Sequence, residues 1–536
     1  MTTDLLVRGA TVIDGSGVDG VVADVAVSAG RIVAVGADAA GGARRTIEAA
    51  GLVLCPGFVD MHAHSDLQIL VNPDHTATVS QGVTTEVLGQ DGLSFAPIDE
   101  PTLGAVRRQI VGWNGEPDDF DFSWRSVEGY LDRLDVGIAC HAAYLVPQGT
   151  LRMMVVGHDD RPATAAELDR MRVLLADGLR QGALGMSSGL TYPPGMFADT
   201  AELVELCAVV ARFGGYHSPH TRSYGRGAIE AYAEMVEVSR RTGCPLHLTH
   251  ATMNFEPNRG RAGELLALVD AALAEGLDLT LDTYPYLPGA TSLSAVLPSW
   301  AATRGPESFL ASLDDPEVRA RLRHELEEVG TDGCHGCVVD WDTLQISGVR
   351  SAALEGYVGR RVDEIARSEG LPPSEVFFRI LREDNMATTI LQHVGDEENV
   401  RAIMGHPAHC GGSDGILVGG RPHPRSWGTF PRYLARYARE LGVLSLPECV
   451  HHLTERPARR LRLLERGLVR QGFHADLVLF DPERVRDAAT FEQPRTQAEG
   501  IPWVLVDGTP VIEEGHRTEA LPGRALRRTD EGALHR

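Results

Sequence analysis

Two histidines, His62 and His64, follow the apolar run Leu52-Val53-Leu54-Cys55-Pro56-Gly57-Phe58-Val59. Such a run reads as a strand buried on both faces, as parallel strands beneath helices are. Side chains on a strand repeat every second residue, so both imidazoles leave its C-terminal end in one direction. Neutral imidazoles so placed can hold one divalent cation, though a pair of surface histidines at a strand end reads equally well. Further polar residues fall at the ends of other predicted strands: Asp91, His220, His250 and Asp414. Each has an ordinary reading alone. A lone histidine is more often hydrogen-bonded than metal-bound, and Asp414, in Gly412-Ser413-Asp414-Gly415, suits a turn or a cap. Six such groups at one end of a sheet are harder to dismiss. Imidazole with carboxylate suits Zn2+, with Mn2+, Co2+ or Fe2+ as chemical alternatives.

The elements that would carry these residues follow a strand–helix rhythm. Predicted strands end at His62, Asp91, near Tyr144, at Gly189, His220 and His250, near Tyr286 and at Asp414. Eight parallel strands are the number of a (β/α)8 TIM-like barrel, whose chemistry sits at the C-terminal ends of its strands. Arg170 to Leu179 and Glu230 to Arg241 read as amphipathic helices between them. The chain from Asp4 to Ala50 and the runs Ala475 to Asp481 and Trp503 to Gly508 read as short strands with glycine turns. Both chain ends are therefore expected to build one small β-sandwich. The expected domains are 1–54 and 466–536 for the sandwich and 55–465 for the barrel, with a subdomain inserted at about 288–399, too long a span for one loop.

Composition narrows the function classes. The chain has 536 residues, 43% of them hydrophobic, enough for a large core. A net charge of -24 argues against nucleic acid or an anionic membrane surface as partner. All 50 basic residues are arginine, which removes a Schiff-base lysine, a P-loop and a carboxylated-lysine metal bridge. The 8 cysteines are scattered and read as reduced thiols; Cys334 and Cys337 are expected in a surface loop rather than a zinc knuckle. No apolar run approaches the ~20 residues of a membrane span, and Met1-Thr2-Thr3-Asp4 does not open a signal peptide. A cytoplasmic enzyme is the expectation.

The set of phrases is more specific than any one residue. Pro56 to Asp66, Gln81-Gly82-Val83-Thr84-Thr85-Glu86-Val87, Gly189 to Gly195, Asp282-Thr283-Tyr284-Pro285-Tyr286, Gly412 to Gly415 and His423-Pro424-Arg425 resemble, in order, the amidohydrolase superfamily. Within it the chain resembles the N-acyl-D-amino-acid deacylases over nearly its full length. The resemblance implies zinc held tightly by His220, His250 and a third ligand from the second strand. His62, His64 and Asp414 would surround a second site, weak or vacant. In familiar members the third ligand is a cysteine; here Gly89-Gln90-Asp91-Gly92 puts Asp91 in its place, a harder ligand. A familiar lysine two residues after the last histidine is replaced by Thr252, which removes a cation suited to acidic side chains.

The reaction implied is hydrolysis of an N-acyl-D-amino acid, a small-molecule substrate, to a carboxylate and a D-amino acid. Asp414 would take the proton of a metal-activated water and hand it to the leaving nitrogen. Arg425 matches the position that binds the substrate carboxylate, and Arg pairs with carboxylates bidentately. Tyr192, Tyr284 and Ser292 match positions near the substrate, as hydrogen-bond donors or as packing. Arg222, two after His220, stands in for the missing lysine or is structural. Two other readings stay open: a related hydrolase of cyclic amides or dipeptides, and a barrel without catalysis serving in an assembly. Against the last, none of the candidate ligands is missing.

Overall fold

The computed structural model describes residues 3–39, 41–303 and 305–528. Its centre is a curled parallel sheet of eight strands, consistent with a TIM-like barrel. In chain order these are β1 (Phe58–Asp60), β2 (Val83–Leu88), β3 (His141–Pro147), β4 (Gly185–Gly189), β5 (Tyr216–His220), β6 (Leu246–Leu248), β7 (Leu279–Asp282) and β8 (His409–Cys410). Each pairs with its sequence neighbour. Past the C-terminal ends of β1 and β8 the backbone continues to pair: Met61 N–H donates to Gly411 O, Asp414 N–H to His62 O at 2.8 Å, and His64 N–H to Gly415 O.

Helices cover the outside, and their ends are written in the sequence. The helix Ala165–Arg180 starts on a capping box, with Thr164 and Glu167 satisfying each other's backbone N–H groups. The helix Ala228–Thr242 ends on Gly243 in a left-handed conformation. Both outrun their predicted bounds because caps, rather than apolar spacing, set where a helix stops.

Strands from both chain ends join in one nine-stranded sheet, linked where Val53–Pro56 runs antiparallel to Leu477–Phe480. Leu5, Val7, Val25, Val27, Leu477, Leu479 and Leu505 form a core on one face of it. Between β7 and β8 a three-stranded sheet, with Thr389–Gln392 between Gly289–Ser292 and Leu344–Gly348, packs over a separate core that includes Phe309, Ile346 and Phe377.

Five strands stop short of the expected ends: β1 at Asp60, β2 at Leu88, β6 at Leu248, β7 at Asp282 and β8 at Cys410. The backbone gives the reason for three of them. Asp91, His250 and Asp414 have φ of 53°, 30° and 50°, left-handed values that end an extended strand. Among the described residues no helix is long and apolar enough to cross a membrane.

Candidate active site

Beyond the C-terminal ends of the strands, the six expected ligands converge. His62 and His64 leave the β1 end together, with Nε2 atoms 3.2 Å apart. Asp414 Oδ1, from the loop after β8, lies 3.1 Å from His64 Nε2 and 3.6 Å from His62 Nε2. His220 ends β5 and His250 follows β6; His220 Nδ1 and His250 Nε2 are 3.1 Å apart. Asp91 stands between the two groups. Its Oδ1 is 3.6 Å from His62 Nε2 and 3.5 Å from His250 Nε2, and its Oδ2 is 3.6 Å from His64 Nε2 and 3.3 Å from His220 Nδ1.

These separations fit a cation. Ligands ~2.0–2.1 Å from a tetrahedral zinc ion lie roughly 3.3 Å from one another. Asp91 Oδ1 and His62 Nδ1 are buried without a hydrogen-bond partner, an expensive arrangement unless something else satisfies the cluster. The left-handed backbone at Asp91, His250 and Asp414 is strain concentrated at the same place. Gly92 makes Asp91's position possible: its φ is 71°, and a Cβ there would lie 2.5 Å from Gly189 N.

Neighbouring groups set protonation. With Nδ1 of His220 kept as an acceptor, Nε2–H donates to the Thr191 hydroxyl at 2.7 Å. Asp282 accepts His250 N–H at 2.9 Å through Oδ1 and faces His247 Nε2 at 2.9 Å through Oδ2. Burial pushes His62 down to about 4, so its imidazole is neutral near pH 7. Burial opposes the charge on Asp91, yet the three imidazoles of His220, His250 and His62 hold its carboxyl well below the usual range. Burial likewise opposes the charge on Asp414, and Arg425 and His62 hold that carboxyl down.

Arg425 is wholly buried beside this cluster. Its Nη2 is 2.9 Å from Asp414 Oδ2, and its guanidinium lies 4.6 Å from the Tyr284 ring centroid. Nε and Nη1 have no hydrogen-bond partner. A buried guanidinium with open donors is a receptor for a planar oxyanion. Tyr192 packs its ring 4.8 Å from His220 and meets Thr291 Oγ1 at 3.1 Å through its hydroxyl. Ser292 lies farther out, on the wall of an adjoining cavity of about 560 Å3 shared with Trp113 and Tyr192. Arg222 is not at the site. Its guanidinium is taken up by Glu234 at 2.8 Å and the carbonyls of Met196 and Ala198.

Several wall residues were not anticipated. Trp113 lies 5.0 Å from His64 with the rings tilted, and Tyr224 sits 4.9 Å from His220 and 5.1 Å from His250. His335 faces Tyr224 at 5.7 Å and lines the cavity over the cluster together with His64, Asp91, His220, His250 and Asp414. The segment that carries it corrects the surface-loop expectation: Cys334 and Cys337 are buried, Cys334 within the core of the 293–390 region. A histidine between two cysteines was the available signal. Trp113 and Tyr224 carried none.

Comparison with known proteins agrees with this geometry. The amidohydrolase family profile matches residues 45–512. A D-aminoacylase of Alcaligenes xylosoxydans xylosoxydans is 34% identical over 98% of this chain and 98% of its own. An N-acyl-D-aspartate deacylase of the same organism is 34% identical over 98% of this chain and 95% of its own. The structure of an N-acyl-D-glutamate deacylase from Bordetella bronchiseptica, complexed with zinc and a phosphonate that mimics the tetrahedral intermediate, superposes with a TM-score of 0.83 at 32% identity, covering 98% of this chain and 100% of the other. The chain belongs to the amidohydrolase family, in its N-acyl-D-amino-acid deacylase branch.

Proposed function

We infer that the protein is a metal-dependent hydrolase that cleaves the amide bond of N-acyl-D-amino acids, giving a carboxylate and a D-amino acid. The observation that carries this is Asp91 set between two pairs of imidazoles, with Asp414 and the open donors of Arg425 alongside. The donor set fits zinc. Asp91, His220 and His250 would hold the tighter ion, and His62, His64 and Asp414 the weaker or vacant site. A bound zinc ion supplies a Lewis acid for the carbonyl and brings the pKa of water towards ~7.

The chain's own residues supply the rest. Asp414 accepts the proton of the attacking water and returns it to the leaving nitrogen. Arg425 exchanges its contact with Asp414 Oδ2 for the substrate carboxylate, while Tyr284 supports the guanidinium. Tyr192 closes the wall beside His220, and Ser292 is placed to meet an extended substituent. Arg222 braces the loop after β5. Thr252, neutral on the cavity wall, favours D-amino acids with uncharged side chains. The D-aminoacylase and the N-acyl-D-aspartate deacylase are equally identical to this chain, so the cavity rather than identity supports that choice. The architecture behind this reading is a closed (β/α)8 barrel with a sandwich from both chain ends, divided at 1–54, 55–465 and 466–536, with an insertion at 288–399, in a cytoplasmic enzyme.

A panel of N-acetyl-D-leucine, N-acetyl-L-leucine, N-acetyl-D-aspartate, a hydantoin and a dipeptide tests it. Turnover concentrated on N-acetyl-D-leucine is expected. Preference for the hydantoin or the dipeptide would replace the reading with the cyclic-amide or peptide alternative.

A further inference from the structure

The other mouth of the curled sheet holds a second cavity. The N-terminal ends of β4, β5, β6, β7 and β8 surround a space of about 380 Å3, crossed by the segment 455–463 and flanked by Arg528. This is the face opposite the metal-ligating residues. Five arginines line it, Arg456, Arg459, Arg460, Arg462 and Arg528, against two carboxylates, Asp278 and Glu455.

Two of the arginines are neutralised. Arg459 pairs with Glu455 at 2.5 Å, and Arg460 pairs with Asp278 at 2.6 Å and donates to Thr280 Oγ1 at 2.8 Å. Among the described residues the other three sit in no ion pair. Arg528 donates to the carbonyls of Leu184 and Gly214, and Arg456 Nη1 faces His452 Nε2 at 3.1 Å. Burial lowers the pKa of Arg528, and Arg462 beside it pushes the same way. Around one cavity, in a chain of net charge -24, stand three guanidinium groups that have no ion-pair partner among the described residues, with Glu455 and Glu448 favouring the charge on Arg456 from farther off. Guanidinium geometry matches tetrahedral oxyanions, and the volume lies in the range of small-molecule sites. Leu184, Tyr216, Leu279 and Leu461 give the cavity an apolar side as well.

We propose that this cavity is a binding site for a phosphate monoester: Arg456, Arg462 and Arg528 hold the phosphate, and the apolar wall takes the organic group. The site is separate from the hydrolytic centre and takes no part in its chemistry.

Calorimetric titration of the full-length, metal-loaded protein with phenyl phosphate and with inorganic phosphate, at constant ionic strength, tests the assignment. Phenyl phosphate should bind, and bind more tightly than inorganic phosphate. The Arg462→Gln/Arg528→Gln variant should lose at least about tenfold in affinity with hydrolysis of N-acetyl-D-leucine unchanged. Arg462→Gln alone, at an exposed position, should weaken binding in the same direction even if the double variant is unstable. No binding by the wild type would overturn the site. Undiminished binding by the variants would place the anion elsewhere, the metal centre included. Equal affinity for the two ligands would overturn the assignment to an ester.

Discussion

Replacing Arg425 by glutamine removes a buried cation while keeping the side-chain stem to Cδ and one donor group. Each charge-assisted hydrogen bond to a carboxylate contributes roughly 1.5–3 kcal/mol, and a bidentate pair makes two. Substrate binding gives up the contact between Arg425 Nη2 and Asp414 Oδ2 at 2.9 Å, which offsets about one of them. The net is about 1.5–3 kcal/mol, or about 10- to 150-fold in kcat/KM. The assay compares N-acetyl-D-leucine with its C-terminal carboxamide, which differs only in the charge Arg425 should read. The wild type should prefer the acid by that factor, and Arg425→Gln should treat the two within about threefold. A second effect has a definite sign. Burial raises the pKa of Asp414 and Arg425 opposes it, so losing the guanidinium raises that pKa. A base of higher pKa is protonated at higher pH, so the acid limb of kcat/KM should move up in the variant. A variant that keeps the full preference for the acid would refute the assignment of Arg425.

Asp414→Asn should lower kcat by about 10²- to 10⁴-fold, the usual size of a general acid–base contribution, while bound metal measured by atomic emission changes far less. Lost metal with activity retained would overturn that role. Asp91→Asn should do the reverse and reduce metal content first, because its carboxylate faces all four imidazoles at 3.3–3.6 Å; unchanged metal affinity would remove Asp91 from the ligand set. Stability should fall in mild acid. Burial holds His217 and His409 down to about 3, against ~6.5 in the unfolded chain, so only the unfolded state gains their protons as pH drops below ~6.5. Each contributes a loss of about 1.4 kcal/mol per pH unit down to about pH 3, so urea midpoints should drop between pH 7 and pH 5; flat midpoints would contradict the buried neutral state.

Much of the site was legible because its residues obey simple periodicity. His62 and His64 share a face by spacing alone, and the chemically awkward residues at strand ends, His220, His250 and Asp414, fall at one mouth because parallel strands all end there. The exact strand ends were not legible, since left-handed backbone at Asp91, His250 and Asp414 depends on what the loops pack against. Which of its two readings suits Arg222 was not legible for a related reason: its partner, Glu234, lies on the following helix, and no local pattern shows that pairing. His335 was read as part of a surface loop because short cysteine spacing says nothing of burial. Trp113 reaches the cavity from the four-residue helix Val111–Asn114 and Tyr224 from a loop, too short a helix and too irregular a segment for aromatic residues to carry a periodic signal.

The central claim is that imidazoles from distant strands and Asp91 hold a cation on which hydrolysis depends. The direct measurement is hydrolysis of N-acetyl-D-leucine by protein stripped with a chelator, dialysed, and titrated with zinc while bound metal is counted. The account predicts activity lost with the metal and restored as zinc returns, rising with the first equivalent. Full activity in protein shown to be free of transition metal would contradict it.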